Sequence, residues 1–514
     1  MKYNHFTGAV ATILCVSLLA GCAQSNPKAE DQAISSQTAA GQSQISETGT
    51  TDAPSMYASG VDSTNQTTIN LNNGSASIEK SGTYRLTGTL HDGSIVVDVD
   101  KTADNGTVYL ILDEANINSS TDTPINIKEA KQVVIMLEEG TSNIVTQANI
   151  STQDTEFPSG AIYSKADLEI AGEGTLTVTT QYNDGINSRD DLVIAGANIV
   201  IEAIGDGIVG KDLLYIEKST VQVTAGKDGL RSSNDTDEGK GNVVIASSNF
   251  SIQAQNDAIQ AERTLRIEDG TFDLTTGVGY AGSSKMADHM AGGGPGQFQQ
   301  KTTTIVDEES RKALKAGELV SVLGGSFTIS SFEDAVHSNG SVTIEGGSFA
   351  IQCGDDGIHA DGFVTISKGE IDIANSYEGI EGSDITISGG NIQVVSKDDG
   401  INVNSQTGTL TISGGTIYIQ NGGDGIDSNG NIVMSGGDIV IDTTNMAPMD
   451  TAIDYDGTLT KTGGTLKDKN GDDLDTTQHQ PGGGGRPGSM GGGARPGRKA
   501  IDPPQAKTSA TPTT

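Results

Sequence analysis

The chain has 514 residues, of which 34% are hydrophobic and 68 are Gly, and it contains no Trp. This composition argues against one large globular core and fits an elongated repeat domain with a thin core of Ile and Val. Its 67 acidic and 31 basic residues give a formal charge of −36, which argues against nucleic-acid binding and permits either bound cations or a soluble surface protein.

The first 22 residues have the pattern of a secretion signal. Lys2 precedes an apolar run from Ala9 to Ala20, which is too short to span a bilayer comfortably. The segment ends at Leu19–Cys22 and resembles a bacterial lipobox, in which the cysteine is acylated after cleavage. We therefore expect an extracytoplasmic protein that is anchored to the bacterial cell envelope by lipid at Cys22.

Two segments outside the predicted domain have biased compositions. Residues 23–58 are rich in Ser, Thr, Gln and Ala without periodicity, which predicts a flexible linker. Residues 476–514 are rich in Gly, Pro and Arg, which predicts a disordered tail. The basic charges of this tail either contact anionic envelope polymers or are simply solvated.

Residues 59–475 are predicted to form an all-β domain, a right-handed parallel β-helix. Val61–Asn149 is strand-like but irregular and is expected to be an atypical N-terminal cap on the solenoid. Regular coils with Gly-Gly corners and alternating apolar residues run from Gly160 to Gly464, and the handedness follows the crossover rule. An insertion at about residues 275–310 interrupts the repeat, as a lid, a binding loop or a tolerated loop.

One motif returns at intervals of 22, 22, 22 and 21 residues between Lys312 and Asn402, and this interval is the predicted coil length. Stacked coils place equivalent residues about 4.8 Å apart, so they form rows on one flank. The first row is predicted to contain Asp184, Asp206, Asp228, Asp257, Lys312, Asp334, Asp356, Glu378, Asp399 and Asp424. The second row, three residues further along each coil, is predicted to contain Lys315, His337, His359, Glu381 and Asn402.

The first row has two interpretations. An Asp before Gly commonly accepts hydrogen bonds from nearby turn amides, which explains part of the pattern. Stacked carboxylates also repel one another, and Ca²⁺, which prefers six to eight oxygen ligands, would relieve that repulsion. Zn²⁺ fits two histidines with acids, but Asp-rich turns do not select it. The candidate calcium ligands are Asp184, Asp206, Asp228, Asp334, Asp355, Asp356, Glu378, Asp398, Asp399 and Asp424.

The second row is expected to face solvent, because the residue before each member is Leu, Val or Ile and should point inward. It is either an ordinary surface row or a set of groups that hydrogen-bond sugar hydroxyls and carboxylates. Lys312 or Lys315 would act as a general base only if its pKa were lowered. The candidate carbohydrate-binding residues are Lys315, His337, His359, Glu381, Tyr377 and Asn402.

Several of these motifs occur together and in order, at Gly82–Gly88, Asp334–Gly340, Asp356–Asp361 and Tyr377–Gly382. In this respect the chain resembles the extracellular carbohydrate-binding β-helix proteins that look like polysaccharide lyases. The resemblance spans roughly residues 60–465. It implies a right-handed β-helix, bound calcium, and affinity for plant cell-wall polysaccharides that include cellulose and acidic pectin-like chains. It implies a binding family, with lyase activity suggested by the fold alone.

Three hypotheses follow. The first is a monomeric, lipid-anchored surface protein that binds polysaccharide along a calcium-braced β-helix. The second is a calcium-dependent polysaccharide lyase of the pectate type, in which Lys312 or Lys315 removes the proton next to a uronate carboxylate. The third is a structural or adhesive surface solenoid. The absence of Trp argues against a flat stacking platform for crystalline cellulose.

Overall fold

The described part of the chain forms one parallel β-solenoid of about 15 turns, which confirms the predicted β-helix. The computed structural model describes residues 61, 64–152, 157–283, 309–448, 450–474 and 476. Residues 1–22 with Cys22, 23–58, 284–308 of the insertion and 477–514 of the tail carry predictions that lie outside the described residues. Of the helices in the described ranges, none has the length and apolar character needed to cross a membrane.

Each coil contributes a strand to each of three parallel walls, because every strand pairs with its equivalent in the next coil. The first wall contains Ala76–Ile78, Ile95–Asp98, Ile125–Glu129, Gly160–Ser164, Asp184–Ser188, Ile208–Gly210, Leu230–Ser232, Ile259–Ala261, Leu314–Ala316, Val336–Ser338, Ile401–Val403, Ile426–Ser428 and Ile453–Tyr455. Two longer strands, Ile358–Ile366 and Ile380–Ile387, continue from the first wall into the second.

The second and third walls follow in the same order along each coil. The second wall contains Gln66–Asn70, Gln132–Leu137, Asp167–Ala171, Leu192–Ala195, Leu213–Glu217, Asn242–Ala246, Thr264–Ile267, Leu319–Val322, Ser341–Ile344, Thr409–Ile412, Asn431–Met434 and Leu459–Lys461. The third wall contains Ser142–Gln147, Thr175–Thr180, Asn198–Ala203, Thr220–Ala225, Ser248–Ala254, Gly270–Thr276, Ser326–Ser331, Ser348–Cys353, Glu370–Ser376, Asn391–Ser396, Thr416–Gln420, Asp438–Asp442 and Thr465–Asp468.

The irregular N-terminal segment is continuous with the solenoid. Its strands Gly82–Leu90 and Thr107–Ser119 are long enough to serve both the second and third walls, and they pair in parallel with a shift of register after Thr87. Ile125–Glu129 then pairs with Gly160–Ser164, so the first wall begins well before the regular repeat. The described helices are single 3₁₀ turns at Leu71–Asn73, Tyr280–Gly282 and Thr443–Asn445.

The core is a narrow column of inward-pointing Ile, Val and Leu side chains, as alternation along each strand requires. On the third wall Phe250, Phe272, Phe327 and Phe349 stack face to face, with ring centroids 4.4–5.0 Å apart. The corner between the second and third walls needs a positive φ, for example 94° at Gly347, which Gly adopts without strain. This regular backbone fixes the spacing of the residues on the first wall.

Candidate functional site

The second predicted row lies in register on the first wall. Lys315 pairs with His337, His337 with His359, His359 with Glu381, and Glu381 with Asn402. The same pairing extends the row in both directions, to Asn187, Val209, Arg231 and Gln260 on one side and to Asp427 and Asp454 on the other. Side chains far apart in the sequence are therefore neighbours along one flank.

The Asp residues of the first row form a hydrogen-bond ladder that links many of the coils to the next. Asp184 Oδ1 accepts a hydrogen bond from the Asp206 amide at 2.9 Å, and Asp206 Oδ1 accepts from the Asp228 amide at 3.0 Å. The pattern recurs from Asp257 to Lys312, from Asp334 to Asp356 and from Asp399 to Asp424, at 2.7–3.1 Å. The Asp side chain therefore satisfies the corner amide of the next coil.

The second oxygen of several of these carboxylates contacts a side chain of the second row. Four carboxylate Oδ2 atoms each lie 2.8 Å from a side-chain nitrogen, and the pairs are Asp184 with Asn187, Asp257 with Lys315, Asp334 with His337, and Asp356 with His359. In addition, Lys312 Nζ lies 3.1 Å from Asp334 Oδ2 and 3.0 Å from Glu333 Oε2. From Asp257 to His359 the two rows therefore form a network in which carboxylates contact basic side chains.

The second row points outward, but most of it is covered by its neighbours, contrary to the expectation that it faces solvent. His337 is only 9% exposed, and the side chains of His359 and Lys315 are 13% and 21% exposed. Burial follows from the stacking itself, since each side chain lies between equivalents from two adjacent coils. The exposed residues are two positions further on, at Asn339, Asp361 and Asn404.

Charge balance ends after His359. Beyond it the first row continues with Glu378, Asp399 and Asp424, and the second with Glu381, Asn402, Asp427 and Asp454, so neither row contains a basic residue. Asn402 Nδ2 donates to Glu378 Oε2 at 3.0 Å and Asn404 Nδ2 donates to Glu381 Oε1 at 2.9 Å. These amides give the carboxylates hydrogen bonds without neutralising their charge.

Burial raises the pKa values of most first-row carboxyl groups, including those of Asp228 and Asp356 to about 7 in the coils that also contain basic residues. Asp334 is the exception among the described first-row carboxyl groups whose pKa is shifted. Burial raises the pKa of Asp334, but Lys312 and His337 outweigh it and hold that pKa well below its usual range. Burial, reinforced by Asp398, raises the pKa of Asp399 to about 8. Burial, reinforced by Glu381, likewise raises the pKa of Glu378 to about 7. The acidic coils therefore retain protons that isolated carboxyl groups would have lost.

Lys312 is poorly suited to act as a general base. Burial alone would lower the pKa of its ammonium group. The charges of Asp334 and Glu333 raise that pKa by more than burial lowers it, so the net pKa lies above the usual value. A general base at neutral pH needs the opposite shift. Lys315 Nζ is held at 2.8 Å from Asp257 Oδ2, a buried carboxylate. Both ammonium groups therefore serve as partners of the carboxylate ladder.

The predicted calcium ligands are brought together only in part. Among the described residues, four sets of three potential ligand atoms lie within 4.8 Å of one another. The sets are Asp334 with His337 and His359, Asp356 with His359 and Glu381, Asp334 with Asp355 and Asp356, and Asp190 with Asp191 and Asp212. These sets do not include Asp184, Asp206, Asp228, Glu378, Asp398, Asp399 or Asp424.

Tyr377, a predicted sugar contact, lies beside the acidic coils. Burial, followed by its hydrogen bond with Asp398, raises the pKa of the Tyr377 hydroxyl above its usual range. Its backbone amide donates to Asp355 O at 2.7 Å. Tyr377 therefore connects the coil of Asp355 to the coil of Asp398.

Sequence reasoning missed two features of the walls. Asp190, Asp191 and Asp212 converge at the corner between the first and second walls, where Lys240 and Asn234 bind Asp212. Phe363 is 52% exposed at the irregularity that follows Ala360 in the strand of His359. The doubled acid at Asp190–Asp191 was a usable signal for the first. No sequence signal indicated that Phe363 is exposed, because the alternation of inward and outward side chains is interrupted at that point in the strand.

Comparison with known proteins places these observations among carbohydrate-binding proteins. A family model described as carbohydrate-binding domain-containing protein matches residues 72–357 and 355–473. A protein of that description from Acetivibrio thermocellus is 40% identical over 130 residues, 24% of this chain and 44% of the relative. The chain thus matches less than half of that relative's length.

A solved structure with sequence similarity is described as the polysaccharide lyase-like protein from C. thermocellum, as a gadolinium derivative. It is 32% identical, and the match covers 41% of this chain and 91% of the solved one, with a TM-score of 0.39.

Proposed function

The chain belongs to the carbohydrate-binding domain-containing family, and from this premise we propose that it binds polysaccharide along the flank formed by the two rows. The observation that supports the proposal most directly is the unbroken register from Lys315 through His337, His359 and Glu381 to Asn402. Hydrogen-bonding groups repeat at every coil, at about the 4.8 Å spacing of parallel strands. This is comparable to the length of one sugar unit, so the flank suits a polymer better than a single sugar.

The accessible edge of this flank supplies the sugar contacts in our proposal. Asn339, Asp361 and Asn404 are exposed, and each lies two positions beyond a second-row residue. Amide and carboxylate groups of this kind exchange hydrogen bonds with sugar hydroxyls. The buried His337 then orients the edge through the 3.1 Å contact between its Nε2 and Asn339 Oδ1. The partly exposed members, Lys315, His359, Glu381 and Asn402, remain candidates for direct contact.

Calcium is part of the same proposal and is assigned to the acidic coils. Burial, reinforced by Asp424, raises the pKa of Asp427 to about 7, in line with the shifts at Glu378 and Asp399. Closely spaced carboxylates without basic partners suit a hard cation with oxygen ligands. Such an ion would also bridge this acidic surface to the carboxylates of an acidic glycan, including those of plant cell walls. The glycan and the ion would then bind cooperatively.

The cellular location that we propose follows from the leader. Acylation of Cys22 would anchor the β-helix on the outer side of a bacterial membrane, with residues 23–58 as the tether. Expression of the full chain and of Cys22→Ser in a bacterial host tests this. The wild type should partition with membranes and incorporate labelled fatty acid, whereas Cys22→Ser should do neither. Membrane association of the Cys22→Ser variant would contradict the anchor.

Affinity electrophoresis through gels that contain cellulose derivatives, polygalacturonate or neutral glycans tests the binding proposal, with calcium or with EDTA. The informative variant is Glu381→Gln, which changes the flank by one charge. Glu370→Gln is the matched control, because Glu370 is an exposed acid on the third wall. We expect retardation by an acidic glycan that weakens with EDTA and with Glu381→Gln but not with Glu370→Gln.

Two results would contradict this proposal or modify it. If the wild type has the same mobility in every glycan gel as in a glycan-free gel, polysaccharide binding is contradicted. A structural or adhesive solenoid would then be the favoured hypothesis. Accumulation of unsaturated uronate products from polygalacturonate would instead show lyase activity. If lyase activity is retained in both Lys312→Ala and Lys315→Ala, neither lysine is the catalytic base.

A further inference from the structure

The two stacked histidines of the second row present one nitrogen each to the first-row carboxylates. The ring centroids of His337 and His359 are 4.9 Å apart on adjacent coils. The Nδ1 atoms lie 2.8 Å from Asp334 Oδ2 and from Asp356 Oδ2, respectively. His359 Nδ1 is also 3.4 Å from Glu381 Oε2. Two imidazole nitrogens and several carboxylate oxygens therefore converge on the same short stretch of the flank.

The other nitrogen of each ring faces an oxygen acceptor outside this cluster. His337 Nε2 lies 3.1 Å from Asn339 Oδ1, and His359 Nε2 lies 3.4 Å from Asp361 Oδ1. Each ring therefore has an oxygen acceptor at both nitrogens, since Asp334 and Asp356 lie beside the Nδ1 atoms. Ligation through Nδ1 requires the ring proton to lie on Nε2, where Asn339 or Asp361 would accept it. Imidazoles that ligate metals are held in this way, with the second nitrogen bonded to a carboxylate or carbonyl oxygen.

The Nδ1 atom of His337 is a separate indication that this part of the flank binds a ligand. The side chain is 11% exposed, and its Nδ1 makes no hydrogen bond although Asp334 Oδ2 is only 2.8 Å away. A buried polar nitrogen without a hydrogen bond is costly, and native proteins avoid it unless another group occupies the site. The Nδ1 atom of His337, the Nδ1 atom of His359 and a carboxylate oxygen of Asp334 all lie within 4.8 Å of one another.

We propose that Asp334, His337 and His359 form a binding site for a divalent transition metal of the Zn²⁺ or Co²⁺ class. Two imidazoles and one carboxylate select such ions over Ca²⁺, which prefers oxygen ligands alone. Asp356 and Glu381 form an overlapping set with His359, so carboxylates are available beside the ion. This site is distinct from the calcium proposed for the coils that begin at Glu378, and it does not depend on glycan binding.

Lys312 sets the affinity of this site. Its Nζ lies 3.1 Å from Asp334 Oδ2, where its positive charge opposes a divalent cation. Replacement by an uncharged side chain of similar length should therefore strengthen metal binding. A purely structural ion-pair network predicts no metal binding in either form, so Lys312→Met separates the two interpretations.

Cobalt titration of the full, chelator-treated chain tests the proposal through the visible absorption bands of protein-bound Co²⁺. The wild type should bind one Co²⁺, release it to Zn²⁺ and retain it in excess Ca²⁺. His337→Ala and His359→Ala should abolish the bands, whereas His91→Ala, at an exposed histidine, should not. Asn339→Ala leaves all three ligands in place and should weaken Co²⁺ binding about 10–100-fold, the usual effect of losing an outer hydrogen bond to a ligating histidine.

Asn339→Ala should fold normally, because the Asn339 side chain is exposed and outside the core. Weaker Co²⁺ binding by this variant would therefore not be a result of misfolding. Absence of Co²⁺ bands from the wild type and from Lys312→Met would overturn the proposal. Unchanged bands in the double variant His337→Ala with His359→Ala would overturn it as well. Glycan retention, measured separately, could fail while the metal site stands, so the two proposals can be judged independently.

Discussion

The flank has two halves that share one backbone design and differ in charge. In the coils from Asp228 to Asp356, the rows contain Arg231, Lys312, Lys315 and two histidines beside the carboxylates. In the coils from Glu378 onward, the rows contain acids and amides only. The hydrogen bond from the corner amide to the preceding Asp persists in both halves.

This difference separates two roles of the same carboxylate. In the Asp residues of both halves, one oxygen accepts the amide of the next coil. In the first half the protein's own basic groups neutralise part of the charge, most fully at Asp334, while burial still raises the pKa values of Asp228 and Asp356 to about 7. In the second half the charge is left to protons or to external cations.

The largest expected effect comes from removing charge in the balanced half. Asp334→Asn keeps an oxygen for the Asp356 amide but removes the anion that faces Lys312 and His337. Breaking a buried ion pair on one side typically costs about 3–5 kcal/mol. Hydrogen exchange of Val336–Ser338 should report a loss of this size in the free energy of opening. Asp372→Asn, an exposed acid on the third wall, should leave it unchanged, and equal protection in both variants would refute the comparison.

The acidic half should respond to pH in the opposite direction from an ordinary carboxylate pair. The pKa of Asp399 is raised to about 8 and that of Asp427 to about 7, chiefly by burial. Above about pH 5 the folded state therefore holds more protons than the unfolded chain, and stability falls as pH rises through these values.

Hydrogen exchange of Ile401–Val403 and Ile426–Ser428 in EDTA should thus accelerate from about pH 6 to about pH 9, after correction for intrinsic rates. Saturating Ca²⁺ should flatten this dependence if it replaces the protons. The strand Ile95–Asp98 of the first wall serves as the internal control, because hydrogen bonds from Ser120 and Thr102 lower the pKa values of the nearby Asp92 and Asp100. A uniform pH response in all three strands would show that the response is not specific to the acidic coils.

A smaller and opposite effect is expected for Asp399→Asn. Asparagine retains an acceptor for the Asp424 amide and removes a charge that Asp398 and Asp427 repel. In EDTA at about pH 8, near the raised pKa, the variant should be more stable than the wild type. In Ca²⁺ the advantage should disappear or reverse. Thermal unfolding in the two media measures this, and destabilisation in EDTA would count against charge repulsion.

The smallest expected effect is that of Arg231→Gln. The guanidinium Nη1 atom lies 3.4 Å from Asp206 Oδ2 and 3.5 Å from Asp228 Oδ2, but the side chain is 35% exposed. Solvent screens such pairs, so the loss should be no more than about 1 kcal/mol. If the loss in the free energy of unfolding were as large as for Asp334→Asn, solvent exposure would not determine how much each ion pair of this flank stabilises the fold.

Much of this arrangement could be predicted because coil length is a property of the sequence. A motif interval of 22 residues determines which side chains are neighbours, so Lys315, His337, His359 and Glu381 were placed correctly on one flank. The continuity of the N-terminal strands could not be predicted, since Thr107–Ser119 extends across two walls and obscures the repeat.

The burial of the second row and the partners of the Asp side chains could not be predicted from the sequence either. His337 is covered by Lys315 and His359 from adjacent coils, and alternation along its own strand gives no information about them. The Asp of each turn was expected to bond nearby amides. That the amide belongs to the following coil, as from Asp206 to Asp184, depends on how the coils stack.

The ladder of Asp side chains gives the molecule a polarity along its length. Every acceptor belongs to the earlier coil and every donor to the later one, as in the bonds from Asp206 to Asp184 and from Asp424 to Asp399. Where this bond occurs, a solenoid shortened from its C-terminus would be left with an unpaired carboxylate oxygen, and one shortened from its N-terminus with an unpaired backbone amide.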